Sequence, residues 1–156
     1  MDKSFPIPYG KSLIEFNLLT GMQGDVAVSR PVKPVADATA AIQEALTNPV
    51  GAPRLTQLAR AGQRVCIVFT DITRASPDHL LVPALLSELE QAGVRDQDIT
   101  LLCGIGMHRP STPAEKVTKL GAAVAQRYRV IDNEPQNPDS LVDLGVTPGG
   151  VPVLLH

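Results

Sequence analysis

Five polar side chains follow closely on two apolar runs. "RVCIVFT" is followed by Asp71, Thr73 and Arg74, and "DITLLCGIGM" by His108 and then Arg109. A carboxylate at such a place orients a base or hydrogen-bonds a ligand. A guanidinium grips a carboxylate or phosphate through two parallel donors. An imidazole, with an ordinary pKa of about 6.5, is the natural proton shuttle near neutrality. In "GIGMHRP", Gly104 and Gly106 let the backbone turn sharply and approach a ligand, while Pro110 fixes the exit, so His108 is held rigidly. Arg74 and Arg109 nearby favour a neutral imidazole, and Asp71 opposes them. The plainer alternatives are an Asp71–Arg74 pair that pins its own loop, with Thr73 tying down the turn, and a histidine that is merely exposed.

The other candidates are weaker. His79 falls in the first turn of a helix, a poor place for an imidazolium, and is read as a surface or supporting residue. His156 ends the sequence and carries no argument. No pair of His, Cys or Asp has metal-ligand spacing, so a self-contained metal site is not expected. "GIGMHR" lacks the lysine and the full glycine set of a phosphate loop. An apolar run followed by Asp71 also resembles the opening of the haloacid-dehalogenase phosphatase motif. The second acid of that motif would fall at Thr73, so a phosphatase-like hydrolase using Asp71 is the weakest reading.

The elements that must position these residues can be read from periodicity. Ile14, Phe16 and Leu18 alternate with Glu15 and Asn17, as in a strand with one wet face. "DVAVSRP" reads as a second short strand closed by Pro31. Residues 37–46 read as a helix capped by Asp37 and ended before Pro49, and residues 55–61 as a short helix closed by Gly62. "RVCIVFT" has no alternation, the pattern of a strand covered by helices on both faces. Ser76 and Pro77 are expected to start a helix with Leu81, Leu85, Leu89 and Ala92 inside, Glu88, Glu90 and Gln91 outside, an irregularity at Pro83, and Gly93 at its end. After the strand "DITLLCG", Thr112, Pro113 and Glu115 form a capping box for a helix that runs toward Tyr128 with a break at Gly121. "RVIDN" is a third parallel-type strand. "SLVDLGVTPGGVPVLL" closes as a hairpin, with Pro148 and Gly149 at the centre of a type II turn. Strand, helix, strand, helix, strand predicts an α/β three-layer sandwich with a mainly parallel, Rossmann-like sheet plus a C-terminal hairpin. Ligands of such sheets bind at the carboxyl ends of the strands, where both polar motifs sit.

The totals agree with this. At 156 residues the chain suits a single α/β domain over 1–156 with one core. Aromatics make up only 3% and tryptophan is absent, so Leu, Val, Ile and Ala must build that core. A net charge of -2 with no basic block argues against a nucleic-acid or anionic-membrane partner. Cys66 and Cys103 each fall in a strand expected to be buried, as packing residues more often than a disulfide. "MDKSFPIPYG" lacks an apolar signal core, and no run approaches the ~18 apolar residues of a membrane span, which predicts a cytoplasmic protein. The sequence stops at "VPVLLH", inside an apolar strand, and reads as a cut chain.

Taken together, "DITRASPDHLLVPALLSELEQAGV" and "DITLLCGIGMHRPSTPAE" resemble the N-terminal domain of the nickel-dependent lactate racemase family. "IPYGKSLIEFNL" and "LGVTPGGVPV" extend the resemblance over nearly the whole chain. One departure is "VIDNE", where members often carry a histidine at the place of Asn133, a position given no catalytic role. The resemblance implies an isomerase that racemises or epimerises 2-hydroxy acids with a nickel-pincer nucleotide, by removing hydride from the α-carbon and returning it on the other face. His108 would then be one of two catalytic bases, Arg74 the clamp on the substrate carboxylate, and Asp71 and Thr73 cofactor contacts. The family's cofactor-tethering lysine, nickel-ligating histidine and second base lie further along. The chain therefore reads as the N-terminal half of a two-domain racemase, inactive and without nickel until its C-terminal domain is present. A non-catalytic module that binds a carboxylate or nucleotide through Arg74, Arg109 and the glycine bend is the reading from a different class.

Overall fold

A computed structural model describes residues 4–156, which divide into two units, one ending at Pro34 and one running from Val35 to His156. In the first, the alternating "LIEFNL" forms β2 (Ser12–Asn17), antiparallel to β1 (Ser4–Tyr9). Proline at positions 6 and 8 hides β1 from a sequence reading. Both prolines face Glu15 and Leu13 in pairs that exchange no backbone hydrogen bond, since the pair next to the two-residue turn, Tyr9 and Ser12, is a bonded one. The missing N–H groups are therefore not needed. Gly10, at φ 59°, takes the left-handed position of that turn. The expected strand at "DVAVSRP" does not form. Val26 and Val28 remain 61% and 81% exposed, and an alternating pattern without a partner edge or a covered face has nothing to stabilise it.

The second unit holds the parallel sheet. Its elements in order are α1 (Ala38–Thr47), α2 (Leu55–Leu58), β3 (Val65–Thr70), α3 (Asp78–Gln91), β4 (Ile99–Gly104), α4 (Pro113–Leu120), α5 (Ala122–Arg127) and β5 (Arg129–Asp132). Asp37 caps α1 through the Ala40 amide at 2.9 Å. The next helix is shorter than expected, because Ala59 is already extended. β3, β4 and β5 pair in parallel in that order, as expected for an α/β fold. Both crossovers step in the same direction, so right-handed connections put their helices on one face. On that face Phe69, Ile99, Leu101 and Cys103 pack against Val82, Leu86, Leu89, Leu120 and Val124. The other face of β3 is open: Cys66 is exposed and Val68 is 66% exposed, whereas burial on both faces was expected.

Helix α3 also departs from its expected stripe. Val82, Leu86 and Leu89 face the core, Leu81 is exposed, and Glu88 is buried although it was placed outside. The helix has apolar residues on two sides. Leu81 and Leu85 line an apolar cleft with Ile42 and Leu46 of α1, so the expected stripe mixes two sides: Leu89 faces the core as expected, while Leu81 and Leu85 do not. The helix starts one residue late, with Pro77 as its cap residue, and Pro83 lies within it. Gly93, at φ 82°, ends it as expected. Gly121, at φ 81°, separates α4 from α5.

The closing hairpin pairs β6 (Val142–Val146) with β7 (Pro152–Leu155). Pro148 and Gly149 do occupy the centre of its turn, closed by Gly150 N–H donating to Thr147 O at 2.9 Å. The left-handed residue, however, is Gly150 at φ 82°, so the turn is not type II, which would require it at Gly149. Among the described residues no helix is long and apolar enough to cross a membrane.

Leu101 is 0% exposed at the centre of the sheet. Leu101→Ala is expected to lower the unfolding free energy by roughly 3 kcal/mol in urea titration, since the packed surroundings cannot close the cavity fully.

Candidate functional site

The register that pairs Thr70 with Gly104 brings the two polar motifs side by side at the carboxyl ends of β3 and β4. Asp71 leaves β3 as a buried residue, 6% exposed. Its Oδ1 accepts the Thr73 hydroxyl at 2.6 Å and the Thr73 amide at 3.2 Å, and its Oδ2 contacts Nδ1 of His108. The His108 contact first and Thr73 second hold the Asp71 carboxyl down at about 2. An ionised carboxylate can only accept, so Nδ1 of His108 carries a proton, and in the neutral imidazole the lone pair is then on Nε2. The His108 side chain is 49% exposed.

The bend that presents His108 is anchored behind it. Ile105 is buried, and its amide donates to Asn133 Oδ1 at 2.7 Å. The chain then turns through Gly106 at φ 56°, and the His108 amide donates to Ile105 O at 3.0 Å. Of the two glycines in the bend, only Gly106 needs its conformational freedom. Asn133 thus has a clear local job: it fixes the start of the histidine loop from the end of β5.

The two arginines part company. Arg74 is exposed, its amide donates to Asp71 O at 3.1 Å, and its guanidinium has no hydrogen-bond or ion-pair partner among the described residues. Arg109 is already engaged. Its Nη1 and Nη2 reach the two Glu115 carboxylate oxygens at 2.9 and 2.6 Å, and Nη1 also reaches Pro110 O. Arg109 holds the Glu115 carboxyl at about 2, with the Thr112 amide next in weight. Glu115 is also the capping-box residue of α4, so Arg109 fastens the loop to its helix. His79 is exposed on α3, away from these contacts.

A cavity of about 430 Å³ opens beside the imidazole, lined among others by Met107, His108, Arg109, Asn133, Glu134 and Gln136. Of the segment after β5 the sequence marks only Asn133, with no site role, although its place at a strand's carboxyl end was a usable signal. Lys119 and Asp78, buried beneath the Arg74 loop, were also missed as site residues. Nothing in their spacing marks them as partners.

Among the described residues, no three His, Cys, Asp or Glu side chains are grouped to hold a metal ion. Cys103 is no thiolate donor either, because burial pushes its thiol up. What the site offers is an oriented base, a free guanidinium and a hydroxyl-bearing turn.

The chain matches the model of the lactate racemase N-terminal domain over residues 9–156. It is 33% identical to the lactate racemase of Lactiplantibacillus plantarum over 70% of this chain and 26% of that protein. It is 28% identical to the lactate racemase of Thermoanaerobacterium thermosaccharolyticum over 92% of this chain and 34% of that protein. The solved lactate racemase apoprotein from the same organism superposes with a TM-score of 0.72 at 27% identity, covering 97% of this chain and 35% of the other. The chain thus spans about a third or less of the curated relatives it matches.

Asp71 is ionised more readily folded than unfolded, about 2 against 3.8. Its contribution to stability is therefore complete above pH ~4 and lost as pH falls toward 2. A ¹³C titration should place the Asp71 carboxyl near 2, and in His108→Ala closer to its ordinary value. An ordinary midpoint in the unmodified chain would contradict the contact.

Proposed function

Because the chain belongs to the lactate racemase N-terminal domain family, we propose that it supplies one half of the active site of a 2-hydroxy-acid racemase or epimerase. In this reading His108 is one catalytic base and Arg74 the clamp on the substrate carboxylate. The observation that carries it is the Asp71–His108 contact, made by a histidine that lines a cavity.

A hydroxy acid can lose hydride from its α-carbon only as its hydroxyl proton is removed. His108 Nε2 takes that proton, and Asp71 stabilises the imidazolium that results. When the carbonyl form is reduced again, the same nitrogen can return it. The Arg74 guanidinium pairs with the substrate carboxylate and sets the distance of the hydroxyl from the base. Because the product is the mirror image, a second base is needed on the opposite side, and it comes from the remainder of a longer protein.

A nickel-pincer nucleotide, when bound, supplies reversible hydride acceptance at the α-carbon. The donor set here fits the organic side of such a group and not its metal. Thr73 and Asp71 at the strand tip are the proposed contacts, while nickel ligands and the tethering lysine belong to the absent C-terminal domain. The same reading places the protein in the cytoplasm, with a small 2-hydroxy acid as substrate. No observation favours the alternatives. Arg109 is tied to Glu115, which weakens a two-arginine binding module. Both Asp71 oxygens are already engaged, which leaves a phosphatase nucleophile poorly placed.

In the full-length, cofactor-loaded protein, His108→Ala is expected to lower racemisation by about 10²-fold or more with nickel content unchanged. Normal racemisation by that variant refutes the assignment. The 156-residue chain purified by itself should show neither racemase activity nor bound nickel by metal analysis.

A further inference from the structure

We propose that Lys119 is a positioning residue: its buried ammonium fixes the backbone from which Arg74 reaches the substrate, an inference that rests on the function proposed above. Lys119 lies on α4 with its side chain 7% exposed, and Asp78, the first residue of α3, is equally buried. Nζ stands 2.6 Å from Asp78 Oδ2. It stands 3.1 Å from each of Thr70 Oγ1, Arg74 O and Ser76 O. Three protons therefore meet four acceptors, all on the single stretch between the end of β3 and the start of α3.

The Asp78 carboxylate is saturated in turn. It accepts from Lys119, from Thr70 Oγ at 2.9 Å and from Ser76 Oγ at 2.7 Å. Burial pushes this carboxyl up, but the bonds from Lys119, Ser76 and Thr70 outweigh it and the net direction is down. Asp78 is therefore held as the carboxylate.

Two of the four acceptors decide what the lysine is for. The carbonyls of Arg74 and Ser76 lie in a loop with no ladder or helix to satisfy them. With its N–H held by Asp71 O and its C=O by Lys119, Arg74 has a fixed backbone and a free guanidinium. Lys119 also belongs to the helix that starts just after the histidine loop, so one ammonium ties the Arg74 loop to the element following His108. A displacement of about 1 Å in a group that orients substrate can cost ~10²-fold in rate.

The test uses the full-length, cofactor-loaded protein and a double-mutant cycle. Lys119→Met should raise KM for the 2-hydroxy acid about 10-fold or more, with a smaller fall in kcat and unchanged nickel content. It leaves Asp78 unpaired, so Thr70→Val, which keeps both charges and removes one partner of each, provides a milder second variant with a several-fold rise. In an Arg74→Ala background neither substitution should raise KM further. A folded variant with unaltered KM overturns the proposal. So does a KM effect that persists undiminished without the Arg74 side chain. A parent protein that does not racemise overturns the proposed function itself, which separates the two failures.

Discussion

An ionised carboxylate bonded to an imidazole, each in the loop that leaves its own strand, is the contact on which the proposed chemistry depends. It exists because β3 and β4 pair in parallel and in register to their last residues. A slip of one residue would turn Asp71 or His108 to the opposite side of the sheet. The apolar face beneath is therefore more than a source of stability. Phe69, Leu101 and Cys103 hold the register, and the register holds the dyad.

The loops that leave the strand ends need their own restraints, since neither has regular structure. They are secured in different ways. The histidine loop is held by Asn133 behind it and by the Arg109–Glu115 pair at its exit. The arginine loop is held by the buried Lys119–Asp78 pair beneath it. A buried ion pair seldom stabilises more than apolar residues of the same volume, and its value here is geometric. Four acceptors converge from one stretch of chain, and an apolar replacement would leave two carbonyls without donors.

How much of this could be read from the sequence varies with the kind of signal. Runs such as "RVCIVFT" and "DITLLCG", with caps at Asp37 and Thr112, announce strands and helices because their information is local. Asp71, Arg74 and His108 could be picked out because strand ends are where such folds bind ligands, and the structure joins Asp71 to His108 directly. Failures came where a distant partner decides. β1 forms because β2 is there, "DVAVSRP" pairs with no strand among the described residues, and the inner side of α3 depends on where α1 and the sheet lie. In a string of letters Lys119 looks like an ordinary surface cation and Arg109 like a free cation of the site. Only coordinates show that one is buried and the other occupied.

The engagement of Arg109 leaves Arg74, in the loop that begins with Asp71, as the unpaired arginine of the two polar motifs among the described residues. A ligand gripped at two neighbouring cations is framed and can present only one hand. Gripped at one, it can swivel about the axis of its carboxylate. Under the proposed function, which handles left- and right-handed forms of the same molecule, a hinge at Arg74 would suit better than a rigid cradle.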